Sequence, residues 1–319
     1  MRKWQGRSLK ETGVNSMEDD EKYDYNAIKE VGRASYEALM YGKGLVKPGA
    51  RLLDIAEGVE SYIASKGFKM AFPVNVSVNE NAAHYTSPLG DESVLAADAV
   101  VKLDVGARKE EYLGDCAVTV DLSGRHEKMI KACEEALAGA ISMVRAGRKV
   151  CEIGREIESI ATKHGFRPVK NLGGHGVERH DLHAGVFIPN FDNGDDTELE
   201  EGQIVAVEPF MTDGIGLVAD GETVEIFQKR GFPQVRSGEA REIGMFIDKH
   251  YLTFPFAARW IQKELGHGDD FRVRRAIAEL SYAGAIESFP VLVERSKGIV
   301  AQAEKEMIVE KDSCIVVTE

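Results

Sequence analysis

Apolar residues recur at helical spacing from Asn26 to Leu45, and Lys47-Pro48-Gly49 ends the run. The same spacing returns from Arg51 to Lys66 and stops at Gly67. FPVNVSVN (72–79) then alternates apolar and polar residues, the pattern of a half-buried strand. After a turn containing Gly and Pro come two strand-like runs, 99–106 and 116–122. Helical spacing resumes over 125–145 and 152–164. Two helices, three strands and two more helices predict a mixed α/β chain whose second part repeats its first.

The repeat extends to residue identities. Residues 37–68 (EALMYGKGLVKPGARLLDIAEGVESYIASKGF) align without gaps on 135–166 (EALAGAISMVRAGRKVCEIGREIESIATKHGF), an offset of 98. Ten of the 32 positions are identical, more than two amphipathic helices joined by a Gly turn share by composition alone. Two copies predict a pseudo-symmetric domain and not a solenoid. The segment 229–290 interrupts the second copy. It is rich in Arg, Lys, Phe and Trp, reads as helical over 256–265 and 271–283, and is expected to be an inserted helical subdomain. Pro residues in TFPF and SFPVL supply breaks near its ends.

Composition narrows the class without choosing an activity. Charged residues at 29% and apolar residues at 43% suit a globular protein, and no uncharged stretch is long enough to cross a bilayer. A formal charge of −13 disfavours a general nucleic-acid binder. Cys116, Cys133, Cys151 and Cys314 form no CxxC pair, which argues against structural zinc and a disulfide framework and fits a cytoplasmic location. Residues 1–16 carry four basic residues against one acid and differ from the acidic run that begins at Met17, so they are expected to form a disordered tail.

Five residues carry the candidate chemistry: Asp104 in VVKLDVG, Asp115 before CAVTV, His175 in GGHG, Glu208 in IVAVEPF and Glu304 in AQAEKEMIVE. Singly, most have a plain reading: strand-end aspartates, a hydrogen-bonded loop histidine, a glutamate on a helical surface. Glu208 is harder to dismiss, because it comes directly after an apolar strand. Together, four carboxylates and one imidazole in apolar surroundings suit two divalent metal ions, which predicts a dinuclear metallohydrolase. In the repeat frame Asp104 matches Glu208 and Asp115 matches Glu304, while His175 has no partner. His84 and His183, 99 residues apart, are candidates for contacting the substrate or its tetrahedral intermediate. The remaining histidines lie in charged or turn-like segments and receive no role.

From about Met17 onward, AFPVNVSVNENAAHYTS, KLDVGA, YLGDCAVTV, GGHGVERHDLHAG, VEPF and VAQAEKEMIVEKD resemble, in order, segments of the methionine aminopeptidase family. The helical insertion resembles its type 2 branch, and GHGVERHDLHAG looks archaeal. The resemblance implies the pita-bread fold, a pseudo-twofold α/β structure with a curved antiparallel sheet and helices on its outer face. It implies that Asp104 holds one metal, that His175 and Glu208 hold the other, and that Asp115 and Glu304 bridge them. Glu208 would also accept a proton, and His84 and His183 would contact the substrate amide and the oxyanion. Phe72, Leu182 and Phe289 fall where the family lines its methionine pocket, although core packing explains each equally well. The ions implied are Co, Mn, Fe, Ni or Zn. The substrates implied are N-terminal Met peptides of nascent proteins, acted on by a monomer with no membrane or specific nucleic-acid partner; contact with the ribosome is left open. One departure stands beside the last ligand: Ala303 and Lys305 replace the Phe and His usual in type 2 members. Proline dipeptidases share the fold and the ligand pattern but usually carry an extra N-terminal domain, for which residues before Asn26 leave no room. A metal-free relative acting as a binding module would have lost ligands, and this chain keeps all five.

Overall fold

Helix α1 (Tyr25–Leu45) begins where the Asp24 carboxylate accepts the amide N–H groups of Asn26 and Ala27. Its stripe of Ile28, Val31, Ala38 and Leu39 is buried. Helices α2 (Leu52–Ser65), α3 (Glu127–Met143) and α4 (Val150–His164) come next, and α4 closes on Gly165 at a φ of 84°. The structure, a computed structural model, describes residues 23–231, 234–265 and 270–319; the expected N-terminal tail lies outside them.

The repeat is visible in single hydrogen bonds. Gly49 and Gly147 both turn the chain at positive φ, 79° and 74°. Gly49 N–H donates to the Leu95 carbonyl, and Gly147 N–H to that of Leu199. Arg51 bridges Val94 where Lys149, 98 positions on (149 − 51), bridges Glu198.

The main sheet contains β1 (Asn75–Val78), β2 (Val100–Val105), β3 (Cys116–Asp121), β4 (Gly173–Glu178), β5 (Asp181–Pro189), β6 (Ile204–Val207), β7 (Glu304–Val309) and β8 (Cys314–Val316). Their antiparallel order is β5-β4-β6-β7-β3-β2-β1, with β8 also paired to β7. The pseudo-twofold axis therefore passes between β7 and β3, exchanging β6 with β2 and β4 with β1. This is the pita-bread arrangement. Alternation sorts the two faces. Val101, Leu103 and Val105 pack outward in the α1/α2 core, and Val205, Val207, Met307 and Val309 in the α3/α4 core. Each such burial is worth about 1.5–3 kcal/mol. The opposite, inner face carries Lys102, Asp104, Thr119, Ala206, Glu304 and Glu306. No helix among the described residues is long and apolar enough to cross a membrane.

AQAEKEMIVE, which alone suits a helical surface, is extended throughout, as Val300–Gln302 and then β7. Gln302, Glu304 and Glu306 point inward, while Ala303 and Lys305 point outward. Ala303 is buried in the α3/α4 core, and the Lys305 ammonium lies 5.6 Å from the Tyr36 ring, so the two departures face away from the acids.

Between paired strands Val218–Lys229 and Ile286–Glu294 lie α5 (Gly238–His250), α6 (Ala258–Glu264) and α7 (Asp270–Tyr282). Helix α5 has no counterpart among the elements read from the spacing; Ser237 caps it by accepting from the Ala240 amide. The three helices share their own core of Ile243, Ile247, Ile261, Ile277 and Leu280. Phe289 and Pro290 belong to the strand pair, opposite Ile226 and Val224. One polar latch ties this unit to the first half of the chain. Arg259, 1% exposed, pairs with Glu60 and donates to Thr86 Oγ1 and the Ser87 carbonyl, while Trp260 Nε1 donates to Glu60.

Candidate metal centre

The sheet register gathers the five candidates. Asp104 of β2 lies across from Ala117 of β3, and Glu304, opening β7, faces the same Ala117 from the other side. Asp115 directly precedes β3. His175 of β4 faces Ala206 of β6, and Glu208 comes one residue after β6, before Pro209. Donor atoms of Asp115, His175 and Glu304 all lie within 4.8 Å of one another. His175 Nε2 is 3.5 Å from Asp115 Oδ2 and 3.9 Å from Glu208 Oε1.

The glycines around His175 are there for close approach and not for positive φ. A Cβ on Gly174 would stand 2.2 Å from the Ala206 carbonyl oxygen, and one on Gly176 would stand 2.3 Å from that of Ala184. Only glycine lets β4 lie this tightly between β5 and β6. His175 Nδ1 sits 3.2 Å from the Gly176 carbonyl, which assigns the proton to Nδ1 and leaves the Nε2 lone pair toward the acids.

Electrostatics make the cluster unfavourable as it stands. Burial lifts the Asp104 carboxyl to about 7. Burial, then mutual repulsion, pushes Asp115, Glu208 and Glu304 well above the usual carboxylate range. Burial lowers His175 to about 4, so it is neutral. Among the described residues no lysine or arginine pairs with these acids, and Oδ1 of Asp104 and of Asp115 have no hydrogen-bond partner. Buried acids with idle oxygens beside a neutral imidazole fit a divalent cation.

Sequence reading missed Gln302 and Glu306. Gln302 Nε2 is 3.3 Å from Glu208 Oε2 and 3.4 Å from Glu304 Oε2, a neutral amide donor shared by two acids. Thr119 holds it in place, exchanging hydrogen bonds with the Gln302 backbone at 2.6 and 2.8 Å. A strand periodicity of two through Gln302, Glu304 and Glu306 is the signal that would have found both.

The acids of the two halves are not related by a single register. Asp104 faces Ala117, whereas continuing Val207↔Lys305 by one step places Glu208 across from Glu304. One axis can exchange Asp115 with Glu304 or Asp104 with Glu208, but not both pairs.

His183 lies beside this cluster, its ring 4.4 Å from that of His175 and inclined at 70°. His84, at a φ of 66°, places Nδ1 3.3 Å from the Pro290 carbonyl and its ring edge-on to Phe289. Desolvation by the surrounding protein lowers the pKa of both, and the neighbouring His175, His84 and Arg230 lower His183 further. His183 nonetheless keeps solvent-accessible surface. Phe72 and Leu182 are buried in one cluster with Val177 and Ile204. Phe289 stands apart from them, half-buried against His84.

The family model described as metallopeptidase family M24 matches residues 26–268. A methionine aminopeptidase of Pyrococcus abyssi is 41% identical over 297 residues, 93% of this chain and all of that protein. Among solved structures, a thermophilic Arx1 is similar at a TM-score of 0.81 and 16% identity, covering 92% of this chain and 90% of that one. A methionine aminopeptidase of Thermotoga maritima is similar at a TM-score of 0.66 and 21% identity, covering 92% and 96%.

Proposed function

The chain belongs to metallopeptidase family M24, and on that premise we propose that it removes the initiator methionine from nascent proteins in the cytoplasm. The observation that carries this reading is the meeting of Asp115, His175 and Glu304, with Glu208 and Asp104 beside them and no counter-cation among the described residues. These residues would hold two divalent ions, Asp115 and Glu304 lying between Asp104 on one side and His175 with Glu208 on the other. Bound divalent ions lower the pKa of water and polarise a carbonyl.

The remaining chemistry belongs to the chain's own residues. Glu208, with 14% of its side chain exposed, takes the proton of the attacking water and delivers it to the leaving amine. His84 keeps its proton on Nδ1 against Pro290, which leaves Nε2 to accept the N–H of the scissile amide. His183, exposed beside His175, donates to the developing oxyanion. Gln302 holds Glu208 and Glu304 at a fixed separation. The apolar group of Phe72 and Leu182 and the half-buried Phe289 are the surfaces available to a methionine side chain.

The test is cleavage of Met-Ala-Ser beside Xaa-Pro peptides. Release of methionine without Xaa-Pro cleavage is expected; the reverse preference overturns the reading. Glu208→Gln should abolish turnover while leaving the circular dichroism spectrum unchanged.

A further inference from the structure

Glu306 is an acid that the proposed reaction does not use. It lies on β7 two residues after Glu304 and so shares the inner face. It is 0% exposed; no hydrogen bond of ordinary geometry from the described residues reaches either carboxylate oxygen, and the Asp115 backbone N–H is directed toward the group. Its backbone is fixed, the N–H by Thr318 Oγ1 and the carbonyl by the Val317 N–H. On one side Glu306 faces Ala206, a methyl group that leaves room. On the other, continuing Lys305↔Cys116 by one step brings it across from Asp115, whose charge it repels along with that of Glu304.

The pseudo-symmetry explains the position. About the axis that exchanges Asp115 with Glu304, the facing pair Asp104 and Ala117 maps onto Ala206 and Glu306. An acid facing a small residue occurs in both halves, with the strand that carries the acid switched. Glu306 is thus the counterpart of Ala117, and it faces Ala206, the counterpart of Asp104.

We propose that Glu306 is a sixth metal-directed donor of this centre, taking a divalent cation together with Asp115 on the Ala206 side. This rests on the metal reading above and adds a ligand to it. The experiment is equilibrium dialysis and calorimetric titration of the chelated full-length protein with Mn²⁺, for the parent, Glu306→Gln and Glu306→Thr. Both variants should lose one class of bound ion or bind it at least about tenfold more weakly. Their metal-free melting temperatures should match or exceed that of the parent, since an unpaired buried acid has been removed. The Co²⁺ absorption spectrum, which reports ligand number, should change in Glu306→Gln, the variant closest in shape. Unchanged stoichiometry and affinities within about twofold in both variants, with an unaltered Co²⁺ spectrum, would overturn the proposal. A parent that binds no ion would instead overturn the metal reading as a whole.

Discussion

Replacing Arg259 by Met keeps a stem of similar length and removes the cation that pairs with Glu60. The site is dry: side-chain exposure is 0% for Arg259 and 9% for Glu60. Burial already raises the Glu60 pKa, and Arg259 is the largest influence opposing it. After the substitution Glu60 retains the Trp260 N–H at 3.0 Å, while Thr86 Oγ1 and the Ser87 carbonyl lose their donor. Breaking a buried pair in this way costs about 3–5 kcal/mol. At about 2 °C per kcal/mol for a chain of this size, the melting temperature should fall by about 6–10 °C. A protonated Glu60 needs no cation, so the deficit should shrink as pH falls toward the unfolded pKa of about 4.3 and grow as pH rises above it. The double variant Arg259→Met, Glu60→Gln should recover most of the loss, because no unpaired charge remains. Thermal melts by circular dichroism from pH 4 to 8 measure all three. A fall of less than about 2 °C, or a double variant no better than the single, would refute the reasoning.

The centre itself sets two further outcomes. Asp104, Asp115, Glu208 and Glu304 have folded pKa values above their unfolded values, so the stability they contribute is complete below about pH 4 and declines as pH rises, for Asp104 up to about 7. Melts of chelated protein should therefore show a falling melting temperature across that window, and added Mn²⁺ should raise it more at pH 8 than at pH 5; a flat or rising metal-free profile would contradict this. Gly174→Ala sets a methyl group 2.2 Å from the Ala206 carbonyl oxygen, so β6 must move. A loss of about 3 kcal/mol and weaker Mn²⁺ binding are expected in melts and dialysis, and wild-type values for both would contradict the close packing.

Much of this was legible in the chain because it is local. The four outer helices announce themselves by amphipathic spacing and by glycine stops, and the offset of 98 carries down to the paired hydrogen bonds of Gly49 and Gly147. The glycine run around His175 is plain in the chain, but the carbonyls of Ala206 and Ala184 that it approaches come only from the sheet. The hidden part is long-range. The contact of His175 with Asp115 depends on β4, β6, β7 and β3 lying side by side, an order that no sequence window contains. Gln302 and Glu306 escape a sequence reading because alternating acid and lysine in AQAEKEM suits a solvated helix as well as a strand with one buried polar face. Helix α5 escapes it because its apolar face docks on the insertion's own small core. The grouping of Phe72 with Leu182, apart from Phe289, likewise comes from packing and not from spacing.

The central claim, that these converging acids and His175 work by holding divalent ions, is tested most directly by titrating activity against bound metal. The protein is chelated, shown to be folded, and then given measured equivalents of Mn²⁺ or Co²⁺ while methionine release from Met-Ala-Ser is monitored. The account predicts no release without metal and a rate that climbs with bound ion until the site is filled. Undiminished cleavage by the chelated protein, or ion binding that survives replacement of Asp115 and Glu304 together, would contradict it.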